Sequence, residues 1–192
     1  MYYLNRKYYQ SNDRRINRTH KALCNSLNTL LETKEFSSIS IQDIADQADI
    51  AKATFYRYYP DKYALLEEII DTLLADFYNS VQLLQIQSFS ADFLNKLQIF
   101  IDKLKKYRQI SSPYIKVDQL IKKWLEKYLF ELLQDKQQLS TNSLKITTRI
   151  LAACILEMID IYSEQKMPLT AHNINKQTQE LVDIINLVNQ RN

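Results

Sequence analysis

The sequence contains no glycine, although an average usage of about 7% would give about thirteen in a chain of this length. Phosphate-binding loops, dinucleotide fingerprints and the nucleophile turn of hydrolases all need glycine, because only a residue without Cβ allows the close backbone approach or the positive φ that they use. None of these motifs can exist in this chain. Hairpin turns and bulges also depend on glycine, whereas antiparallel helices can be joined without it. The composition therefore predicts an all-α fold.

Cysteine, histidine and long apolar runs are also scarce. Cys24 and Cys154 each lie within an apolar pattern, so we expect two buried, reduced thiols in a cytoplasmic protein without a disulfide framework. A closed four-ligand zinc site would need both of these and both histidines, His20 and His172. We therefore expect no metal, no cofactor and no enzymatic activity. The N-terminus lacks the apolar segment of a signal peptide, and no stretch approaches the run of about eighteen apolar residues that spans a membrane.

The net charge of +3 is concentrated at the N-terminus. Residues 1–63 carry ten basic and seven acidic side chains, whereas residues 64–192 carry fifteen of each. Within residues 1–21 the single acidic residue stands against six basic ones, which are Arg6, Lys7, Arg14, Arg15, Arg18 and Lys21. Such a cluster is either a solvated tail and helix face or the electrostatic footprint of a polyanionic partner.

Two short helices are predicted behind a first helix at about residues 14–31. Ser40 and Asp43 have the spacing of a capping box, which begins the first short helix. The second, at about residues 52–58, follows after a tight turn, and Asp61 can cap the long helix after it. Two short helices joined in this way are typical of a helix-turn-helix, whose second helix can enter the major groove of DNA.

The motif residues form two runs at a fixed distance from each other, Asp43-Ile44-Ala45 and Thr54-Phe55-Tyr56-Arg57-Tyr58-Tyr59-Pro60-Asp61-Lys62. Together they resemble the DNA-binding region of the TetR/AcrR family of transcriptional regulators, over about residues 14–70. The resemblance implies a three-helix, helix-turn-helix DNA-binding domain at residues 1–60, of which 1–13 form a basic tail. It also implies a helical bundle at residues 61–192 that binds an effector and dimerises.

The same resemblance implies a ligand-responsive regulator, more a repressor than an activator. Its partners would be a double-stranded, palindromic operator, a small-molecule effector and a second copy of the chain. The last two helices, at about 143–163 and 170–189, have apolar residues on more than one face, which indicates a partner surface. We expect a homodimer through them. The alternative is a helix-turn-helix protein that acts through a protein partner as a co-activator.

Nine side chains are candidate DNA contacts. Ala53 and Thr54 are small and offer methyl groups to thymine, and Lys52 can reach guanine or a phosphate. In proteins of the family that the chain resembles, tyrosines like Tyr56 and a lysine like Lys62 grip phosphates. The full set is Ser40, Gln42, Lys52, Ala53, Thr54, Tyr56, Arg57, Tyr58 and Lys62. Phe55 and Tyr59, in contrast, are expected in the core.

The motif departs from the family pattern in the turn and at the start of the second helix. Asp49 replaces a common glycine where φ is often positive, and aspartate is among the few other residues that tolerate this. Ala51 replaces a common serine, so one helix cap is missing. Ala53 replaces a frequent glycine and adds a methyl group at the groove.

The C-terminal part offers aromatic residues rather than a motif. Ser112 and Pro113 are expected to open a helix as N-cap and first residue. Several large side chains could line an effector cavity between helices, although aromatic residues at helical spacing are also ordinary core. The candidates are Phe77, Phe100, Tyr107, Trp124, Tyr128, Met158 and Tyr162.

Overall fold

The computed structural model describes residues 14–82, 91–110, 112–134, 140–164, 170, 172–177, 179–180 and 183. In these residues the regular structure is entirely helical, without a strand, which confirms the predicted all-α fold. The elements are α1 (Arg14–Leu30), the 3₁₀ helix (Phe36–Ser38), α2 (Ile41–Gln47), α3 (Lys52–Tyr58), α4 (Lys62–Gln82), α5 (Ala91–Arg108), α6 (Val117–Leu133) and α7 (Thr141–Glu164). Across the described ranges, no helix is long and apolar enough to cross a membrane.

The chain forms two compact units. The first contains the described residues up to 75 together with 106–118, and the second contains those of 76–105 and of 119 onward. The expected functional division after residue 60 stays a prediction, because compactness does not test which residues bind DNA or an effector.

The first unit is built around a core shared by its four N-terminal helices. α1 buries Leu23, Leu27 and Leu30 on one face, at helical spacing. The other helices contribute buried apolar residues to the same unit, namely Ile44, Ala45, Phe55, Leu65, Leu66, Ile69 and Ile70. Burying one such leucine or phenylalanine side chain contributes roughly 1.5–3 kcal/mol. Because α2 and α3 are too short to be stable alone, this burial is what holds them in place.

α2 begins at a complete capping box. The side-chain oxygen of Ser40 accepts a hydrogen bond from the backbone N–H of Asp43 at 3.1 Å. The carboxylate of Asp43 accepts one from the backbone N–H of Ser40 at 2.8 Å. The two residues thus satisfy two backbone donors that would otherwise lack partners.

The turn between α2 and α3 depends on Asp49, whose φ is +54°. This is the left-handed region, in which aspartate is tolerated because its short polar side chain adds little strain. The positive φ expected at this position is therefore confirmed. Ala51, the N-cap of α3, makes no side-chain hydrogen bond, as its lack of a hydroxyl predicts.

α4 starts immediately after the helix-turn-helix. The carboxylate of Asp61 accepts a hydrogen bond from the backbone N–H of Ala64 at 2.8 Å, so this residue caps the helix as expected. α4 then continues for 21 residues from Lys62 to Gln82, a length of about 31 Å.

The second unit is rich in aromatic contacts. Phe77 and Phe100 stack with ring centroids 4.1 Å apart. A separate hydrophobic cluster consists of buried Leu94, Tyr162 and Ile174, with Phe93 and Met158 packed against it. Residues 172–177 are helical, within the segment where the final helix is predicted. The rest of that prediction falls mostly outside the described residues.

Two expectations were wrong. α6 begins at Val117 and not at Pro113, because the Ser112 hydroxyl accepts from the backbone N–H of Tyr114 at 3.2 Å. This local hydrogen bond favours a turn over a helix start. Cys154 is exposed rather than buried, and Cys24 is half-buried; both thiols are free.

Candidate nucleic-acid interface

α3 separates a buried face from an exposed one. Phe55 is fully buried and anchors the helix, with its ring centroid 5.8 Å from that of Tyr59. The outward face carries Tyr56, which is 51% exposed. Lys52, Ala53 and Arg57 are exposed as well, while Thr54 and Tyr58 are half-buried. The structure therefore places all six of the candidate contacts on α3 at least partly in reach of a partner.

The two candidates on α2 are already engaged in local hydrogen bonds. Ser40 is exposed, but its hydroxyl oxygen is the helix cap. Gln42 is exposed, and its side-chain amide donates to Asp46 at 2.7 Å. Contact between these two side chains and a phosphate would require them to share or exchange these bonds.

Asp43 ties α2 to the segment after α1. The ammonium group of Lys34 donates to its carboxylate at 2.8 Å. This bond, together with those from Ser40, holds the pKa of the Asp43 carboxyl far below its ordinary value, so the carboxylate stays charged. The sequence analysis did not find this pair, because nothing in the spacing of Lys34 and Asp43 indicates a contact.

Lys62 points toward the protein rather than into solvent. Its ammonium nitrogen donates to three backbone carbonyls, those of Phe36 at 2.7 Å, Ser37 at 3.2 Å and Ile39 at 2.6 Å. It also lies 4.7 Å from the centroid of the Phe36 ring, a distance typical of a cation–π contact. Burial lowers the pKa of Lys62, and the charge of Asp43 partly offsets this. In this geometry Lys62 fixes the 3₁₀ segment in front of α2, and its phosphate contact stays a prediction.

A partly buried ion pair joins α1 to α4. The Nε2 atom of His20 lies 2.7 Å from a carboxylate oxygen of Glu68, and its ring lies beside Tyr59 with centroids 5.9 Å apart. Burial alone would lower the pKa of His20, but hydrogen bonds with Cys24 and Glu68 and the charge of Glu68 raise it to about 10. Burial also tends to raise the pKa of Glu68, but the bond from His20 outweighs this and lowers it. His20 is thus a cation at neutral pH.

This pair was missed because the sequence shows His20 only as a residue beside an apolar stripe. Forty-seven residues separate it from Glu68 in the chain, and no periodicity relates the two. Across the described part of the chain, no group of three or more histidine, cysteine and acidic side chains could hold a metal ion.

The seven candidate pocket residues fall into several groups. Phe77 stacks on Phe100, and Met158 packs against the cluster that contains Tyr162. Trp124 stacks on Tyr128 at 5.5 Å. Tyr107 belongs to the first unit, where its hydroxyl donates to the side chain of Asn28 at 2.7 Å. Tyr78 was not among the candidates, and its ring lies edge-on to those of Trp124 and Tyr128.

Sequence comparison matches the N-terminal region to known regulators. The family described as bacterial regulatory proteins, tetR family, matches residues 28–69. The HTH-type transcriptional regulator EthR of Mycolicibacterium smegmatis is 51% identical over 45 residues, which are 23% of this chain and 21% of EthR. The match thus spans about a fifth of the length of that relative.

Solved structures resemble the chain over most of its length. A TetR transcriptional regulator from Streptococcus agalactiae has a TM-score of 0.61 at 21% identity, with 88% of this chain and 96% of that one covered. The dihydroxyacetone kinase operon activator DhaS has a TM-score of 0.55 at 20% identity, over 88% of this chain and 97% of DhaS. At these identities the likeness establishes the fold alone. Residues 28–69, which contain the helix-turn-helix, thus match the tetR family of bacterial regulatory proteins.

Proposed function

We propose that this protein binds double-stranded DNA through α2 and α3 and regulates transcription from a palindromic operator as a homodimer. The observation that carries the proposal is the division of α3 into a buried anchor, Phe55, and an outward face with Lys52, Ala53, Tyr56 and Arg57. A helix with small, cationic and hydroxyl-bearing residues on its outer face suits the edges of bases and the flanking phosphates.

Each α3 residue has a role in this proposal. The methyl groups of Ala53 and Thr54 face thymine in the major groove, and Lys52 contacts a guanine edge or a phosphate. Tyr56, Arg57 and Tyr58 hold the backbone and thereby fix the register. Ser40, Gln42 and Lys62 act at the margin, where Ser40 and Lys62 also hold the start of α2 in place.

Dimerisation is proposed through α7 and the helix after it. α7 exposes several large apolar side chains to solvent, which are Ile146 at 63%, Ile150 at 58%, Ile161 at 42% and Leu151 at 38%. An exposed apolar stripe of this kind favours burial against a partner. A two-fold dimer places two copies of α3 about one helical turn of DNA apart, or a multiple of it, which is why the operator is proposed to be palindromic.

The proposal includes repression that a small-molecule effector relieves, in the cytoplasm where the DNA is. The pocket is proposed in the second unit, among Phe77, Phe100, Trp124, Tyr128 and the pair Met158 and Tyr162. Trp124 is the only tryptophan in the chain, so its fluorescence reports directly on this region. A compound that quenches Trp124 and releases the operator supports an effector; release without quenching places the effector elsewhere. No catalytic step is proposed.

The test is selection of bound fragments from random duplex DNA with the full-length protein. We expect enrichment of inverted repeats whose half-site centres lie about 10 bp or a multiple of it apart. Failure to enrich any sequence, with no binding to duplex DNA at low salt, would overturn the proposal. In the alternative, a co-activator that acts through a protein partner, DNA affinity is weak and lacks the steep salt dependence of phosphate contacts.

A matched pair of tyrosine variants locates the interface. Tyr56→Phe removes one exposed hydroxyl and keeps the ring that packs edge-on to Phe55. If that hydroxyl donates to a phosphate, its loss costs about 1.5–3 kcal/mol, or roughly 10- to 150-fold in operator affinity. The control is Tyr114→Phe, because Tyr114 is 76% exposed in the same unit but lies outside the helix-turn-helix. Equal affinities of the two variants would argue against contact through α3.

A further inference from the structure

α1 carries an exposed basic stripe on the side away from the core. Arg14, Arg18 and Lys21 are all exposed, and positions separated by four and three residues lie within roughly 60° of one another around a helix. The buried residues of the helix, among them Leu23 and Leu27, lie on the opposite side. α1 contains no acidic residue that could neutralise the stripe.

The placement of these charges is unfavourable for the helix itself. The first turn of a helix has a partial positive charge, so acidic side chains stabilise it and basic ones oppose it. α1 begins with Arg14 and Arg15 and has no acidic residue in its first turn. These charges therefore do not stabilise α1. An anionic partner that neutralises them would explain why they are there.

α1, the helix that carries the stripe, packs beside the end of α3. His20, next to Lys21 in the chain, has its ring 5.9 Å from that of Tyr59, the residue that ends α3. Packed helices lie about 8–10 Å apart, and the major groove is about 12 Å wide between its phosphate backbones. With α3 in the groove, basic side chains on the neighbouring helix are at the distance of the flanking backbone.

We propose that Arg14, Arg18 and Lys21 form a second DNA contact, which binds the phosphates of one strand beside the groove that α3 enters. The inference rests on the proposed function. Arg14 and Lys21 are about 10 Å apart along the helix axis, which is more than the axial spacing of about 3.4 Å between phosphates of one strand, so the three side chains can reach separate phosphates. Because phosphates carry no sequence information, this contact adds affinity for operator and unrelated duplexes alike.

The test is the salt dependence of DNA binding by Arg14→Gln/Arg18→Gln/Lys21→Gln. Each phosphate contact that is lost reduces the slope of log K against log salt by about 0.9. Three contacts per chain, and so six in the proposed homodimer, give a reduction of about 5.4. A salt increase from about 50 to 200 mM then weakens the wild type roughly 1,800-fold more than the variant. The change is equal on operator and random duplexes.

The control is Lys103→Gln/Lys105→Gln/Lys123→Gln, which removes three exposed positive charges from the second unit. This control separates local contact from a general effect of net charge. Circular dichroism checks that both variants are folded. We expect no loss of stability in the α1 variant, because it removes a positive charge from the first helical turn.

The inference is overturned if the slope of log K against log salt falls by less than one in the α1 variant. It is also overturned if the slope falls equally in the α1 variant and in the control. In both cases operator binding by the wild type still stands. Loss of affinity for the operator alone also overturns it, because that result would indicate base recognition. If the wild type itself binds no duplex, the proposed function fails and the inference fails with it.

Discussion

Replacement of Glu68 by glutamine should weaken the dependence of the stability of this protein on pH between 7 and 9. In the wild type, the pKa of His20 is raised from 6.5 to about 10 by its bonds to Cys24 and Glu68, which outweigh the effect of burial. The unfolded chain releases the histidine proton as the pH rises through about 6.5, whereas the folded chain keeps it until about pH 10. The stabilisation is therefore complete below pH 6.5 and is lost progressively between these two values.

The magnitude follows from the size of the shift. One pKa unit corresponds to about 1.4 kcal/mol, so the full effect is of the order of 5 kcal/mol. The slope approaches about −1.4 kcal/mol per pH unit within this window, and the wild type should lose about 2–3 kcal/mol between pH 7 and 9. In Glu68→Gln, the bond and charge of Glu68 are lost while the bond of Cys24 remains, so this slope becomes shallower and stability at pH 7 falls by about 1–3 kcal/mol.

The assay is urea denaturation at half-unit intervals from pH 6 to 9, with Glu35→Gln as the control because Glu35 is exposed. Tyr59 does not interfere, since burial raises the pKa of its hydroxyl well beyond this range. A variant that keeps the wild-type slope would show that Glu68 does not hold the proton on His20. At the acid end, the lowered pKa of Glu68 predicts stability that is present above pH 4.5 and declines as the pH falls below it.

Three further predictions concern the scaffold of the interface, and thermal or urea denaturation measures each. Asp49→Val should destabilise the protein by about 1–2 kcal/mol, because a β-branched residue tolerates positive φ poorly, whereas Asp49→Gly should stay close to the wild type; equal effects would contradict the strain argument. Ser40→Ala should cost about 1 kcal/mol through loss of the helix cap, and a neutral result would mean that the capping box contributes little. Lys62→Met leaves the carbonyls of Phe36 and Ile39 without their donor and should cost about 2 kcal/mol; unchanged stability with lost operator binding would instead assign Lys62 to a phosphate.

Local signals were sufficient to predict the helix-turn-helix. Caps and turns act within a few residues, so Ser40 with Asp43 gave the start of α2, and the spacing of residues 52–58 gave α3 with the bounds that the structure shows. The positive φ of Asp49 followed from the resemblance, because the family commonly has glycine at this position. The all-α fold was likewise confirmed, and residues 28–69 match the tetR family.

The remaining features depend on contacts between distant parts of the chain, which one sequence does not encode in its spacing. Lys62 reaches carbonyls 23 to 26 residues earlier, and His20 meets Glu68 across 48 positions. The predicted start of α6 was wrong for a different reason, because a hydrogen bond to the Ser112 hydroxyl can form either in a helix cap or in a turn. The DNA contacts and the pocket residues stay predictions, because each needs a bound partner to test it.

The early part of α4 belongs to the same compact unit as the three helices before it. Leu65, Leu66 and Ile70 are completely buried, Lys62 fastens the 3₁₀ segment, and Glu68 neutralises His20. A fragment that ends at residue 60 would consequently lack the part of its hydrophobic core that α4 supplies. We expect this fragment to be unfolded. A folded fragment should need the first three to four turns of α4 in addition.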